Sequence, residues 1–165
     1  MSERFIRAAR LAGPMSAEAR LKTLSVALPV APKAVATYSS WVRSGNLVFV
    51  AGQGPMVNGT PKYKGKLGAN VTLAQGQECA RIACLNALAI VKEALGSLDK
   101  VKRVVKANVY VACTNDFTDQ PKVANGATEL IKEIWGEGGL PVRAAVGVNV
   151  LPMDIPVELE LVVEA

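Results

Sequence analysis

The sequence contains no histidine. That absence removes Ser-His-Asp triads, Cys-His pairs, His-ligated zinc and the histidine pair of an ordinary ribonuclease. Any catalysis has to run on carboxylates, Tyr, Lys, Arg, bound water and backbone groups. Aromatic residues are scarce at 5%, so a core must be assembled mainly from Val, Leu, Ile and Ala. No apolar run approaches the length that crosses a bilayer, which argues against a transmembrane segment and a membrane partner. Cysteines number three, Cys79, Cys84 and Cys113. Cys79 and Cys84 stand five apart on an expected helix, a spacing that suits neither a disulfide nor a metal pair. All three read as small buried hydrophobes of a reducing, cytoplasmic chain.

What is present is globular. The chain has 165 residues, half of them hydrophobic and a fifth charged, enough for one core of ordinary size. Net charge is +5, yet basic residues are scattered beside acidic ones, as in Lys92-Glu93 and Lys132-Glu133. The densest positive stretch, Lys62, Lys64 and Lys66 around Tyr63, reads as a solvated loop rather than a phosphate site. Nucleic acid is therefore not an expected partner. Residues 1–15 carry Arg4, Arg7 and Arg10 among Phe5, Ile6 and Leu11, without the long apolar core of a secretory signal. They read as a disordered extension or the result of an early start codon, with an amphipathic targeting segment as the alternative. Residues 16–165 are expected to form a single domain.

Periodicity supplies the elements. Ser16 suits a helix cap, with Ala19, Leu21 and Leu24 following on one side. Tyr38 to Arg43 and Leu47 to Ala51 suggest a hairpin turning at Ser44-Gly45-Asn46, and the glycine-rich Met56 to Asn70 suggests a loop. Thr72 and Gln75 form a capping box that opens a long helix ending at Gly96. Val101 to Ala112 is an expected strand with Val105, Ala107, Val109 and Val111 on one face. A second helix starts near Thr118 or Asp119 and carries Val123, Ala127, Leu130, Ile131 and Ile134 as its stripe. Val142 to Val150 and Val157 to Val163 close the chain as strands. The order predicts an α+β fold, one sheet with both main helices on one face.

The last two strands hold the candidate chemistry. Alternation puts Val142, Ala144, Val146, Val148 and Val150 on one face, with Val157, Leu159, Leu161 and Val163 on the corresponding face of the next strand. If that face receives the helices, the other carries Arg143, Ala145, Gly147 and Asn149 with Glu158, Glu160 and Val162. Such a mixture fits burial against another subunit as well as a solvated surface. The Arg143 guanidinium can fork onto a carboxylate, and a nearby glutamate can orient an attacking water. Gly52, lacking a Cβ, can bring its backbone N–H close to a ligand, although Gly52-Gln53-Gly54-Pro55 also reads as a plain chain reversal.

These residues resemble the YjgF/RidA family, in a longer branch of it. The matching stretches are Ala31-Pro32 with Tyr38, Ser44-Gly45-Asn46-Leu47, Ala51-Gly52-Gln53, Asn115-Asp116-Phe117, Pro141-Val142-Arg143, Leu151-Pro152 and Val157-Glu158-Leu159-Glu160. The resemblance implies a chorismate-mutase-like fold and a homotrimer with sites in the clefts between subunits. It implies hydrolysis of small 2-imino acids to 2-keto acids and ammonia, with no metal or organic cofactor. Carried over by position, Arg143 and the Gly52 N–H would hold the substrate carboxylate, and Glu158 with the Ala145 carbonyl would hold the water. Tyr38 would close the pocket from a neighbouring subunit. Asn125 matches a family asparagine if the segment after Phe117 carries a short insertion. Ala145 stands where many members have cysteine. A trimer that binds small carboxylates without turnover is the competing expectation, and a ribonuclease the third.

Overall fold

The computed structural model describes residues 15–165, so the reading of the N-terminal extension falls outside it except at Met15. The elements are α1 (Ala17–Thr23), β1 (Trp41–Ser44), β2 (Leu47–Gln53), β3 (Met56–Val57), β4 (Thr60–Pro61), α2 (Leu73–Leu95), β5 (Arg103–Ala112), α3 (Gln120–Trp135), β6 (Val142–Val148) and β7 (Val157–Glu164). Five strands form one sheet in the order β1-β2-β7-β5-β6. Every neighbouring pair is antiparallel except β5 and β6, which run parallel and are joined through α3. The α+β class and the single main sheet with two long helices are therefore as the sequence implies. No helix among the described residues is long and apolar enough to cross a membrane.

The helices begin and end where their chemistry says they should. Thr72 Oγ1 accepts from the Gln75 N–H at 3.2 Å while Gln75 Oε1 accepts from the Thr72 N–H at 2.9 Å, and Gly96 closes α2 at φ +81°. Their apolar stripes meet the central strands. Ala80, Cys84, Leu88 and Val91 of α2 and Val123, Leu130 and Ile131 of α3 are inaccessible, as are Val109, Val111, Leu159 and Val163 below them. Burial also pushes the thiols of Cys79 and Cys84 up to about 12, so these cysteines act as packing groups.

Four local expectations change. The first strand starts at Trp41 rather than Tyr38. Part of the Met56 to Asn70 loop is a small hairpin, β3 with β4, which turns at Asn58-Gly59 with φ of +50° and +79°. The register of β5 against β7 shifts between Val104 and Lys106, so Val104 takes the core position expected of Val105.

The fourth change matters most. On β6 the valines do not face the helices. Pairing sets Arg143 level with Ala107, Ala145 with Val109 and Gly147 with Val111, and those three β5 residues all point into the core. Arg143, Ala145 and Gly147 therefore lie on the helix side, while Val142 and Val146 stand 69% and 46% exposed on the other. Space is the reason. A Cβ on Gly147 would sit 2.8 Å from Cys113 Sγ and 3.0 Å from Gln120 Nε2, so the helix side has no room for a valine at this position.

Candidate functional site

Two separate groups of the expected residues emerge. The first is built on Arg143, at the second position of β6. Its Nη1 donates to Asn125 Oδ1 at 2.8 Å and to Thr128 Oγ1 at 3.0 Å, two acceptors one turn apart on α3. Nη1 has two hydrogens, so both are engaged, leaving the Nη2 and Nε donors for something else. No carboxylate among the described residues lies within ion-pair distance of this guanidinium, whereas Arg81 is held by Glu133 at 2.8 Å and Arg103 by Glu164 at 3.4 Å. Ala145, two residues on, packs its methyl group against the core.

The second group lies on the opposite face, around a bulge in β2. Val50 pairs with Leu161 and Gln53 with Leu159, so β2 carries one extra residue at Ala51-Gly52. The buried Gln53 side chain donates to the carbonyls of Ala51 and Gly52, at 3.1 and 2.9 Å, and steadies the bulge. Glu158 folds over Gly52 so closely that a Cβ there would collide with its carboxylate. The missing side chain thus makes room for Glu158. Next along β7, Glu160 Oε2 accepts from Tyr110 OH at 3.0 Å and Asn108 Nδ2 at 3.2 Å. Burial, and then the charge of Glu160, raises the Glu158 carboxyl above its ordinary 4.5. Tyr38, half exposed, stands two residues before Ser40, whose carbonyl accepts from the Ala51 N–H at 3.0 Å.

Within one chain, then, Arg143 meets Asn125, and Glu158 meets Gly52, but Arg143 does not meet Glu158. The two are level with Ala107 and Tyr110 of β5, from the strands flanking it. That separates them by roughly 10 Å along the sheet and roughly 10 Å across it, on opposite faces. The expectation that one face carries the arginine and both glutamates is overturned. Alternation was correct on each strand, but the pairing of β6 with β5 reversed its phase.

Sequence reasoning also missed residues. Thr128 is a polar interruption beside the apolar stripe of α3, three positions after Asn125, and that spacing was a usable signal. Asn108 and Tyr110 alternate with the core residues of β5, so their common face with Glu160 was legible once β5 and β7 were paired. Among the described residues, no cluster of three or more metal-ligating side chains is disposed to hold a metal ion.

Relatives share this architecture. Residues 18–164 match the family described as "YjgF/chorismate_mutase-like, putative endoribonuclease". Protein TCP17 of Trypanosoma cruzi is 43% identical over 147 residues, spanning 88% of this chain and 92% of that one. The crystal structure of Atu1372 from Agrobacterium tumefaciens, a protein of unknown function, superposes with a TM-score of 0.83 at 44% identity, over 90% of this chain and 91% of that one. A 2-iminobutanoate/2-iminopropanoate deaminase of Dermatophagoides farinae is 32% identical over 139 residues, covering 84% and 93% of the two chains. Sequence, topology and relatives agree that the chain belongs to the YjgF/RidA family.

Proposed function

We propose that this protein hydrolyses small 2-imino acids at sites completed between copies of the chain. The observation that carries the proposal is the Arg143 clamp, anchored only by neutral oxygens and therefore free to give its charge to a ligand carboxylate. Glu158, raised by burial and lodged against Gly52, suits the second role of orienting a water and accepting its proton. In the balanced step the water oxygen adds to the iminium carbon and the C–N bond then breaks. The iminium and water together yield a 2-keto acid and ammonium. The Gly52 N–H would assist in holding the carboxylate, the Ala145 carbonyl in holding the water, and Tyr38 in closing the pocket. The deaminase named among the relatives supports the substrate class. No step in this scheme calls for a metal or organic cofactor, and we place the reaction in the cytoplasm.

Because Arg143 and Glu158 sit on opposite faces of one sheet, the site needs two copies, and the mixed open face is the surface we assign to a homotrimer. The same separation favours one alternative, a trimer whose clamp binds small carboxylates without turning them over.

Complementation tests both parts. With 2-iminobutanoate and 2-iminopropanoate generated in situ, Arg143→Ala and Glu158→Gln should each be inactive as pure assemblies. Unfolded together and refolded as mixed assemblies, they should regain activity at roughly a quarter of the sites. Mixed assemblies that stay inactive would refute the shared site. A folded wild type that binds 2-oxobutanoate but hydrolyses no imine would select the binding reading.

A further inference from the structure

The residues that hold Arg143 show more than its availability. An arginine on an edge strand has long, flexible torsions, and a clamp works only if its fork is already aimed. Here both hydrogens of Nη1 are taken by α3, one by Asn125 and one by Thr128. Thr128 is 8% exposed, one of few buried polar residues among those described. Its hydroxyl has a single hydrogen, which faces the Ala124 carbonyl at 3.4 Å in the back-bonding geometry of a helical threonine. That leaves only lone pairs pointing at Arg143. The hydroxyl is thus a one-way acceptor, fixed in direction by the helix backbone.

The helix is itself held at this level. Gly126 lies against the backbone carbonyl of Gln77 on α2, so closely that a Cβ would collide with it. Gln77 Nε2 also donates to the Lys122 carbonyl of α3 at 3.0 Å. Asn125 and Thr128 flank this contact, so the α2–α3 packing sets where the anchors stand. Both anchors are neutral. A carboxylate in either place would steady the arginine equally well but would neutralise it, as Glu133 does for Arg81.

We infer that Thr128 is a positioning residue: its hydroxyl, oriented by the Ala124 carbonyl, aims the free edge of Arg143 at the substrate carboxylate without drawing off its charge. This rests on the reading of Arg143 as the carboxylate clamp. The residue touches no substrate and acts through the arginine alone.

The test compares wild type, Thr128→Val, Thr128→Ser and Arg143→Ala for KM and kcat on 2-iminobutanoate, and for Kd of 2-oxobutanoate by calorimetry. Thr128→Val keeps the shape and removes the acceptor, so KM and Kd should both rise about tenfold, the loss of one hydrogen bond to a charged group, with kcat within about twofold. Thr128→Ser should restore both to within about twofold of wild type. Unchanged KM and Kd in Thr128→Val would overturn the inference. So would Thr128→Ser behaving like Thr128→Val, because the methyl group would then be what matters. If Thr128→Val does not fold, Thr128→Ala is measured against Thr128→Ser with the same criterion. Arg143→Ala that keeps wild-type Kd would sink the clamp reading itself, and is told apart by that variant alone.

Discussion

The two faces of the five-stranded sheet are built from the same strands and finish very differently. One face is closed by α2 and α3, and its residues on β5 and β7, such as Val109, Leu159 and Val163, are inaccessible. The other carries Val42, Phe49, Val142 and Val146, all 40% exposed or more, around the cluster of Glu158, Glu160, Asn108 and Tyr110. Beside that cluster lies a shallow hollow of about 270 Å³ that includes Val42, Phe49, Asn108 and Glu160 in its walls. A solvent-facing sheet surface would be expected to alternate more cleanly to polar residues. The comparison teaches that the closed face is completed within one chain, whereas the open face leaves apolar side chains exposed, on the surface proposed above for contact between copies. Each face also holds half of the candidate site, Arg143 at the edge of the first and Glu158 on the second.

The largest effect should come from charging the open face. If the proposed trimer forms through this face, Phe49→Asp combined with Val146→Asp should convert it to monomers in analytical ultracentrifugation and abolish turnover, while circular dichroism of the helices is kept. An unchanged sedimentation coefficient would mean that this face is not the interface. Glu158→Gln should come next, lowering kcat by roughly 10²–10⁴ with Kd for 2-oxobutanoate little altered. A change in Kd alone would move Glu158 from proton transfer to binding.

Gly126→Ala acts on the closed face. The new methyl group meets the Gln77 carbonyl, so α2 and α3 must part, at a cost of about 1–3 kcal/mol read as a lower Tm. KM should rise along with it, because the same contact carries the anchors of Arg143.

The smallest effect concerns pH. The Glu158 carboxyl is raised above 4.5 in the folded chain, first by burial and then by Glu160. The folded state therefore holds its proton more tightly than the unfolded one. Stability from this group is fully present below 4.5, declines as pH rises through the raised value, and is level above it. Urea titrations across that window should show wild-type stability falling relative to that of Glu158→Gln as pH rises.

Much of this was legible in residues alone. The capping box at Thr72 and Gln75, the stop at Gly96, the stripe of α3 and the alternation along β7 are local signals, and each appears where its pattern put it. Arg143, Gly52 and Glu158 were legible as candidates because of their residue types and their match to the family. The face of Arg143 was not. Val142, Val146 and Val148 at alternate positions of β6 look like a core stripe, yet the strand lies at the sheet edge, where a side chain at Gly147 would meet Cys113 and Gln120. The extra residues in β2 and β5 were equally hidden, since a bulge is defined by the partner strand and not by the strand that bears it.

By itself, then, the sequence determined the class of fold, the helices and their ends, the absence of histidine chemistry, and the few residues able to hold a carboxylate or a water. These follow from side-chain type and local period, which act within a few residues of chain. Tertiary structure alone decided which face each candidate occupies, that Thr128 and Asn125 hold the arginine, and that Arg143 and Glu158 stand apart in one chain. Those depend on strand register and on how closely two helices can approach, and both are properties of pairs of segments distant in the chain.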